Sequence, residues 1–181
     1  MRRWISVLAL AAAMAACGQP STATSEAQAQ TGGAPATSGE ATPAERSAIL
    51  AALSLSANSG GQVENECGER VTPRFQAIDL GASVGRVVGF IIEGGPNMAS
   101  CYGDGPLVLL MRANGANWTQ IYMNRGGPAI VLSTTHNGGN DLADGGPGFS
   151  FPVRQWNGTE YEDAHRQVAD SALGDARFVP N

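Results

Sequence analysis

Hydrophobic positions are unevenly distributed along this chain. From Trp4 to Ala16 there is no charge, and Ala, Leu, Ile and Val dominate. Those 13 residues fall short of the roughly 20 that a helix needs to cross a hydrocarbon core. Residues 18–42 are nearly all Ser, Thr, Ala, Gln, Gly and Pro, with no aromatic and no aliphatic larger than Ala. Such a segment cannot bury enough apolar surface to offset its ordering entropy, so it reads as a tether. A helix is predicted over 43–56, because Thr42-Pro43-Ala44-Glu45 has the form of a capping box with Pro at the first helical position. Ala48, Ile49, Ala52 and Leu53 then form one apolar stripe, and Asn58-Ser59-Gly60-Gly61 ends the element.

Beyond Cys67 the texture changes to short apolar runs bounded by Gly, Asn, Asp and Pro, the pattern of antiparallel strands. Strands are predicted at 75–80, 86–93, 107–112, 118–123, 129–134, 149–156 and 159–162. Leu107-Val108-Leu109-Leu110-Met111 is apolar without alternation, which suits a central strand covered on both faces, one of them by the helix. Asn157-Gly158 predicts a type I′ hairpin and Ala113-Asn114-Gly115-Ala116 a looser one. Ala164, Val168, Ala169 and Ala172 suggest a short C-terminal helix. The expected class is α+β, mostly β: an antiparallel sheet or meander of six to seven short strands with one N-terminal helix packed on it. The chain divides into an apolar leader (1–16), a tether (17–42) and one globular domain (43–181).

The leader carries Arg2 and Arg3 ahead of its apolar run, the form of a secretory signal peptide. It ends in Met14-Ala15-Ala16-Cys17-Gly18, which resembles the lipobox of bacterial lipoproteins. The resemblance implies cleavage before Cys17, diacylation of its thiol and acylation, as with palmitate, of its amine. Two or three acyl chains make a stable anchor. Gly18, where Asp would favour retention at the inner membrane, implies an outer-membrane anchor facing the periplasm. The alternative is a general cleavage at Ala27-Gln28-Ala29, more than ten residues past the apolar run.

From residue 17 onward 9 Arg face 16 Asp plus Glu, a formal charge of 9 − 16 = −7. An acidic surface repels phosphate backbones, which argues against a nucleic-acid partner and leaves membrane contact to the anchor. There is no lysine, which excludes Schiff-base and P-loop lysine chemistry. With Cys17 lipidated, as the resemblance implies, Cys67 and Cys101 are an even pair in an oxidising compartment, and a disulfide is favoured. A reactive thiol or metal site needs a base or further soft ligands, and no His precedes residue 136.

The richest polar stretch runs from His136 to Gly148. Asn137-Gly138 followed by Asp141-Leu142 and an aromatic hairpin resembles one blade of an FG-GAP or VCBS repeat. That resemblance implies a calcium loop with Asn137 and Asp141 in ligand register, alongside Ser133 and Thr135. Calcium needs 6 to 8 oxygens, and one carboxylate in register favours instead a plain Gly/Asn turn with no cofactor. His136 with Asp141 or Asp144 has the makings of a general base, with Ser133 or Ser150 as nucleophile. No G-x-S-x-G, H-E-x-x-H or S-x-x-K signature accompanies them. His165 sits in a charged tail. The runs Gly94-Gly95-Pro96, Gly126-Gly127-Pro128 and Gly145-Gly146-Pro147 read as turn punctuation, since no helix opens after them to cradle a phosphate.

Alternation along 149–156 puts Phe149, Phe151 and Val153 on one face and Trp156 on the other. Trp156 and Tyr161 are thus the candidates for an exposed recognition patch, with burial as the alternative. The expected function is a lipid-anchored envelope protein with a non-catalytic binding domain. Its partner is an envelope protein or glycan, engaged through Asn137, Asn140, Asp144, Trp156 and Tyr161. A hydrolase using His136 and Asp141, or a purely structural envelope component, are the other readings.

Overall fold

The computed structural model describes residues 39–93 and 101–181; the leader and lipobox readings, the tether reading up to residue 38 and the Gly94-Gly95-Pro96 run lie outside the described residues, whereas residues 39–42, read as the tether's end, belong to the domain, with Ala41 in its core. The capping box forms as its sequence predicts. Thr42 N–H donates to Glu45 Oε2 at 2.7 Å and Glu45 N–H to Thr42 Oγ1 at 3.2 Å, opening helix α1, Pro43–Ala52. The helix stops short of the predicted residue 56, because Ser54 takes a left-handed φ of 57°. Arg86 fastens the helix from outside. Its Nε donates to Glu45 Oε1 at 3.0 Å and its Nη2 to Oε2 at 3.2 Å, and this guanidinium holds the Glu45 carboxyl below its ordinary range.

The rest of the domain is β. A two-stranded sheet pairs β1 (Val63–Glu64) with β2 (Arg70–Val71). A four-stranded sheet has the order β3-β4-β5-β6, from Arg74–Ile78, Val87–Ile92, Leu107–Asn114 and Asn117–Arg125. A five-stranded sheet has the order β10-β9-β8-β7-β11, from Tyr161–Ala169, Ser150–Trp156, Gly139–Asp144, Ala129–His136 and Arg177–Val179. All pairings are antiparallel. The class is therefore as the sequence predicts, mostly β with one helix among the described residues, but the strands divide among three sheets.

The two larger sheets pack face to face. Val87, Ile91, Val108 and Leu110 of one meet Val131, Leu142, Trp156 and Val179 of the other in a shared core. The far face of the four-stranded sheet is buried too, under Ile49 of α1 and Val63 and Val71 of the small sheet. Leu107 to Met111 are buried throughout, as expected for a strand covered on both sides. Cys67 and Cys101 stand at disulfide distance, Cα to Cα 5.8 Å.

Three predicted elements need correction. Residues 139–144 form β8 instead of a loop: Asn137 and Gly138 take φ of 48° and 75°, and His136 pairs with Gly139, so the two-residue Asn-Gly turn is here. At Asn157-Gly158 there is a four-residue loop instead, with Trp156 paired to Tyr161; Asn157 Oδ1 accepts from the N–H groups of Thr159 and Glu160. The predicted C-terminal helix is the end of strand β10 followed by a 3-10 turn at Asp170–Ala172.

Candidate functional site

The outward face of the five-stranded sheet is apolar at one end and polar at the other. Ile130, Leu132, Ala143, Phe151 and Val153 form the apolar part, partly roofed by Leu173 and Ala176. Further along the same strand faces come Thr134 and His136 on β7, Asp141 on β8 and Gln155 on β9. Strand β10 adds Arg166 from an irregularity between Asp163 and Gln167, where His165 takes a φ of 53°. That bulge carries the guanidinium past β9 to reach β8.

Asp141 is the centre of this cluster and is wholly buried, at 0 % exposure. A buried carboxylate is costly unless it is paired and hydrogen-bonded, and this one receives three donors. Thr134 Oγ1 donates to Oδ2 at 2.6 Å, Arg166 Nη2 to Oδ2 at 2.7 Å, and His136 Nδ1 lies 2.7 Å from Oδ1. The His136 and Arg166 side chains remain 46 % and 40 % exposed. The buried charge thus fixes two nitrogen-rich side chains at the surface of a rigid sheet.

Chemically, the arrangement fits an orienting carboxylate better than a catalytic relay. The second ring nitrogen of His136 faces the Gln155 amide nitrogen at 2.9 Å. Both ring nitrogens of His136 are thus occupied by side-chain partners, Asp141 at Nδ1 and Gln155 at Nε2. A serine nucleophile would have to occupy the place Gln155 takes. Ser150 Oγ instead donates to Gln167 Oε1 at 2.9 Å. The His136–Asp141 contact foreseen from sequence is present, and Gln155, Thr134 and Arg166 are the partners that reading missed. Only strand register brings them together, and Arg166 stood in a segment read as helix.

The calcium register of the FG-GAP resemblance is not reproduced. Asp141 lies in a strand with its oxygens occupied by donors, and Asn137 Nδ2 donates to the Trp156 carbonyl at 2.8 Å. Among the described residues there is no group of three or more His, Cys, Asp or Glu side chains arranged to hold a metal.

The proposed binding residues are also redirected. Trp156 and Tyr161 are buried at 1 % and 9 % exposure, in the core between the sheets. Their rings lie 5.3 Å apart, and Arg112 stacks over Trp156 at 5.2 Å. Tyr161 O–H donates to the Asn140 carbonyl at 2.8 Å, and burial pushes its pKa up. Asn140 Nδ2 donates to the Leu132 carbonyl at 2.9 Å. Asp144 accepts from the Tyr122 hydroxyl at 2.9 Å and from Arg154 Nη2 at 2.7 Å. Burial beside Asp144 raises the Tyr122 pKa well above its ordinary value, and hydrogen bonding to Asp144 raises that of Arg154. These side chains hold the sheets together, and of the predicted binding residues Asn137 alone is exposed, with Asn140 and Asp144 half-buried.

Compared with protein-family models, curated proteins and solved structures, the chain matches none.

Proposed function

We propose that this protein is a lipid-anchored component of the bacterial cell envelope whose β domain is a non-catalytic binding module for another envelope molecule, protein or glycan. The observation that carries the binding reading is Asp141, a fully buried carboxylate spent on orienting the exposed His136 and Arg166. Preorganised polar groups on rigid strands suit recognition, because their side chains lose little freedom on binding. Gln155, seated where a nucleophile would be, supports binding over hydrolysis. The anchor rests on the lipobox resemblance at Cys17, with a tether-like polar segment ahead of residue 39 and a Cys67–Cys101 disulfide suited to an oxidising compartment.

Two measurements on the full chain in its host envelope test this. Radiolabelled palmitate should be incorporated by the wild type and lost in Cys17→Ser; equal labelling sinks the anchor. Cross-linking should recover an envelope partner that Arg166→Ala and His136→Ala both lose, while a wild type that hydrolyses an envelope polymer, an activity abolished by His136→Ala, would establish the hydrolase instead.

A further inference from the structure

Two of the glycine and proline runs that the sequence offered as turn punctuation converge with a further Gly-Pro pair that it did not single out. Gly105-Pro106, Gly127-Pro128 and Gly146-Pro147 line one cleft of about 410 Å³, together with Ile130, Phe151 and Phe178. Its walls are built by backbone approaching backbone. A Cβ on Gly105 would lie 2.7 Å from the Gly126 carbonyl oxygen, one on Gly126 2.6 Å from that of Tyr102, and one on Gly127 would strike the Gly145 carbonyl. Asn124 Nδ2 draws the loops together, donating to the carbonyls of Gly127, Pro128 and Gly145 at 3.2, 3.0 and 2.8 Å. The cleft is therefore preformed and lined by three rigid rings, which need no ordering when something enters.

Its surroundings carry aromatic faces and negative charge. Phe178 on the wall is 43 % exposed, and Phe149, between the cleft residues Pro147 and Phe151 in sequence, is 87 % exposed. Asp104 lines the mouth. Asp170 donates its backbone N–H to the Phe149 carbonyl at 2.8 Å, and Asp175 lies between Leu173 and Ala176, which pack against the same apolar cluster as Ile130 and Phe151. None of these three side-chain carboxylates has a partner among the described residues. Four arginines are already paired with carboxylates, Arg86 to Glu45, Arg125 to Glu66, Arg154 to Asp144 and Arg166 to Asp141, while Arg177, beside Phe178 in sequence, donates to the Asp79 carbonyl. Asp104, Asp170 and Asp175 are thus the carboxylates left free beside the cleft, and exposed phenylalanine faces beside carboxylates favour guanidinium and ammonium groups.

We propose that this cleft is a docking surface for a basic polypeptide, taking one of its apolar side chains between Pro106, Pro128 and Pro147 while Asp104, Asp170 and Asp175 meet flanking arginines or lysines. The inference rests on reading the domain as a binding module and narrows it to a second surface and a partner chemistry. The apolar insertion supplies affinity, and the carboxylates supply approach rate and selection against acidic partners.

The test uses the full chain in neutral detergent and a fluorescein-labelled pentapeptide, tryptophan flanked by two arginines on each side, read by fluorescence polarisation. Saturable binding is expected, weakened about ten-fold or more when alanine replaces the tryptophan, as befits loss of a buried apolar side chain. A peptide with glutamates in place of arginines should not bind. Gly146→Leu adds a bulky side chain to a cleft-lining residue whose added Cβ meets nothing within 4 Å, so it should abolish binding with an unchanged melting temperature. Phe178→Ser, on the exposed wall, should weaken binding also. No saturable binding, or binding indifferent to Gly146→Leu or to loss of the tryptophan, overturns the proposal. A dimer in sedimentation that Phe149→Ser dissociates overturns it in favour of a second copy as occupant. Because Arg166 lies outside the cleft, cross-linking that still depends on Arg166 when the peptide fails would leave the binding module standing and discard only this surface.

Discussion

Replacing Trp156 by alanine separates a core residue from a recognition residue. The side chain is 1 % exposed, stacked under Arg112 and against Tyr161, and its Cβ and Cγ lie 2.9 Å from where a Cβ on Gly139 would sit. An aromatic of this kind buries about 150–250 Å², which at about 25 cal/mol per Å² amounts to roughly 4–6 kcal/mol. Measured truncations of buried aromatics cost about 3–5 kcal/mol, so about 4 kcal/mol is the working figure. The 139 residues from 43 to 181 imply an unfolding entropy near 0.3 kcal/mol per kelvin at about 2.1 cal/mol/K per residue, so the midpoint should fall by about 14 °C. Thermal unfolding followed by circular dichroism checks this. Tryptophan emission gives a second readout, because in the described domain only half-buried Trp118 accompanies Trp156. A drop under about 3 °C, combined with loss of partner capture, would refute the packing argument and return Trp156 to the surface.

Other perturbations have equally definite outcomes. Glu45→Gln removes the carboxylate that Arg86 holds; it should cost about 1–2 kcal/mol at neutral pH. Because the folded pKa of Glu45 is lowered, its contribution is present above the unfolded value of 4.5 and is lost as pH falls through the lower folded value, so the gap between variant and wild type should close in acid; a constant gap in melts from pH 7 to pH 3 would contradict this. Cys67→Ser with Cys101→Ser opens a 34-residue separation, and urea titration should show a loss of about 3–4 kcal/mol on chain-entropy grounds; an unchanged midpoint would mean that the two thiols are not joined. Gly127→Ala, whose Cβ meets the Gly145 carbonyl, should lose about 2–3 kcal/mol or fail to fold, whereas Gly146→Ala should stay within about 0.5 kcal/mol; equal melts for the two would refute the close approach.

What could be read in the sequence follows from how local its cause was. The capping box needs only four consecutive residues, and it formed as predicted. The unbroken run from Leu107 to Met111 announced a strand covered on both faces because burial on both sides removes alternation. Two identical Asn-Gly dipeptides were less informative, because the choice between a two-residue turn and an Asx loop depends on which flanking strands pair. The bulge in β10 inserts residues between Asp163 and Gln167, so Ala164 and Val168 meet one apolar surface at a spacing of four, which imitates a helix. The candidate site was visible only as the pair His136 and Asp141. Its other members come from positions 134, 155 and 166, and register between strands, a tertiary property, is what unites them. Trp156 was misplaced for the same reason: alternation identified its face, but not that a second sheet covers it.

The grip of Arg86 has a mechanical side. Besides Glu45, its guanidinium reaches the carbonyls of Gly39 and Glu40, each at 3.4 Å, ahead of the first residue of the helix. Tension applied to the chain from its N-terminal side is therefore taken up before it arrives at α1. It passes through Arg86 to β4, an interior strand hydrogen-bonded to β3 on one side and β5 on the other. While those contacts hold, the helix is not the first element to feel the pull. A domain fastened in this way can be tugged from that end without first losing its cover.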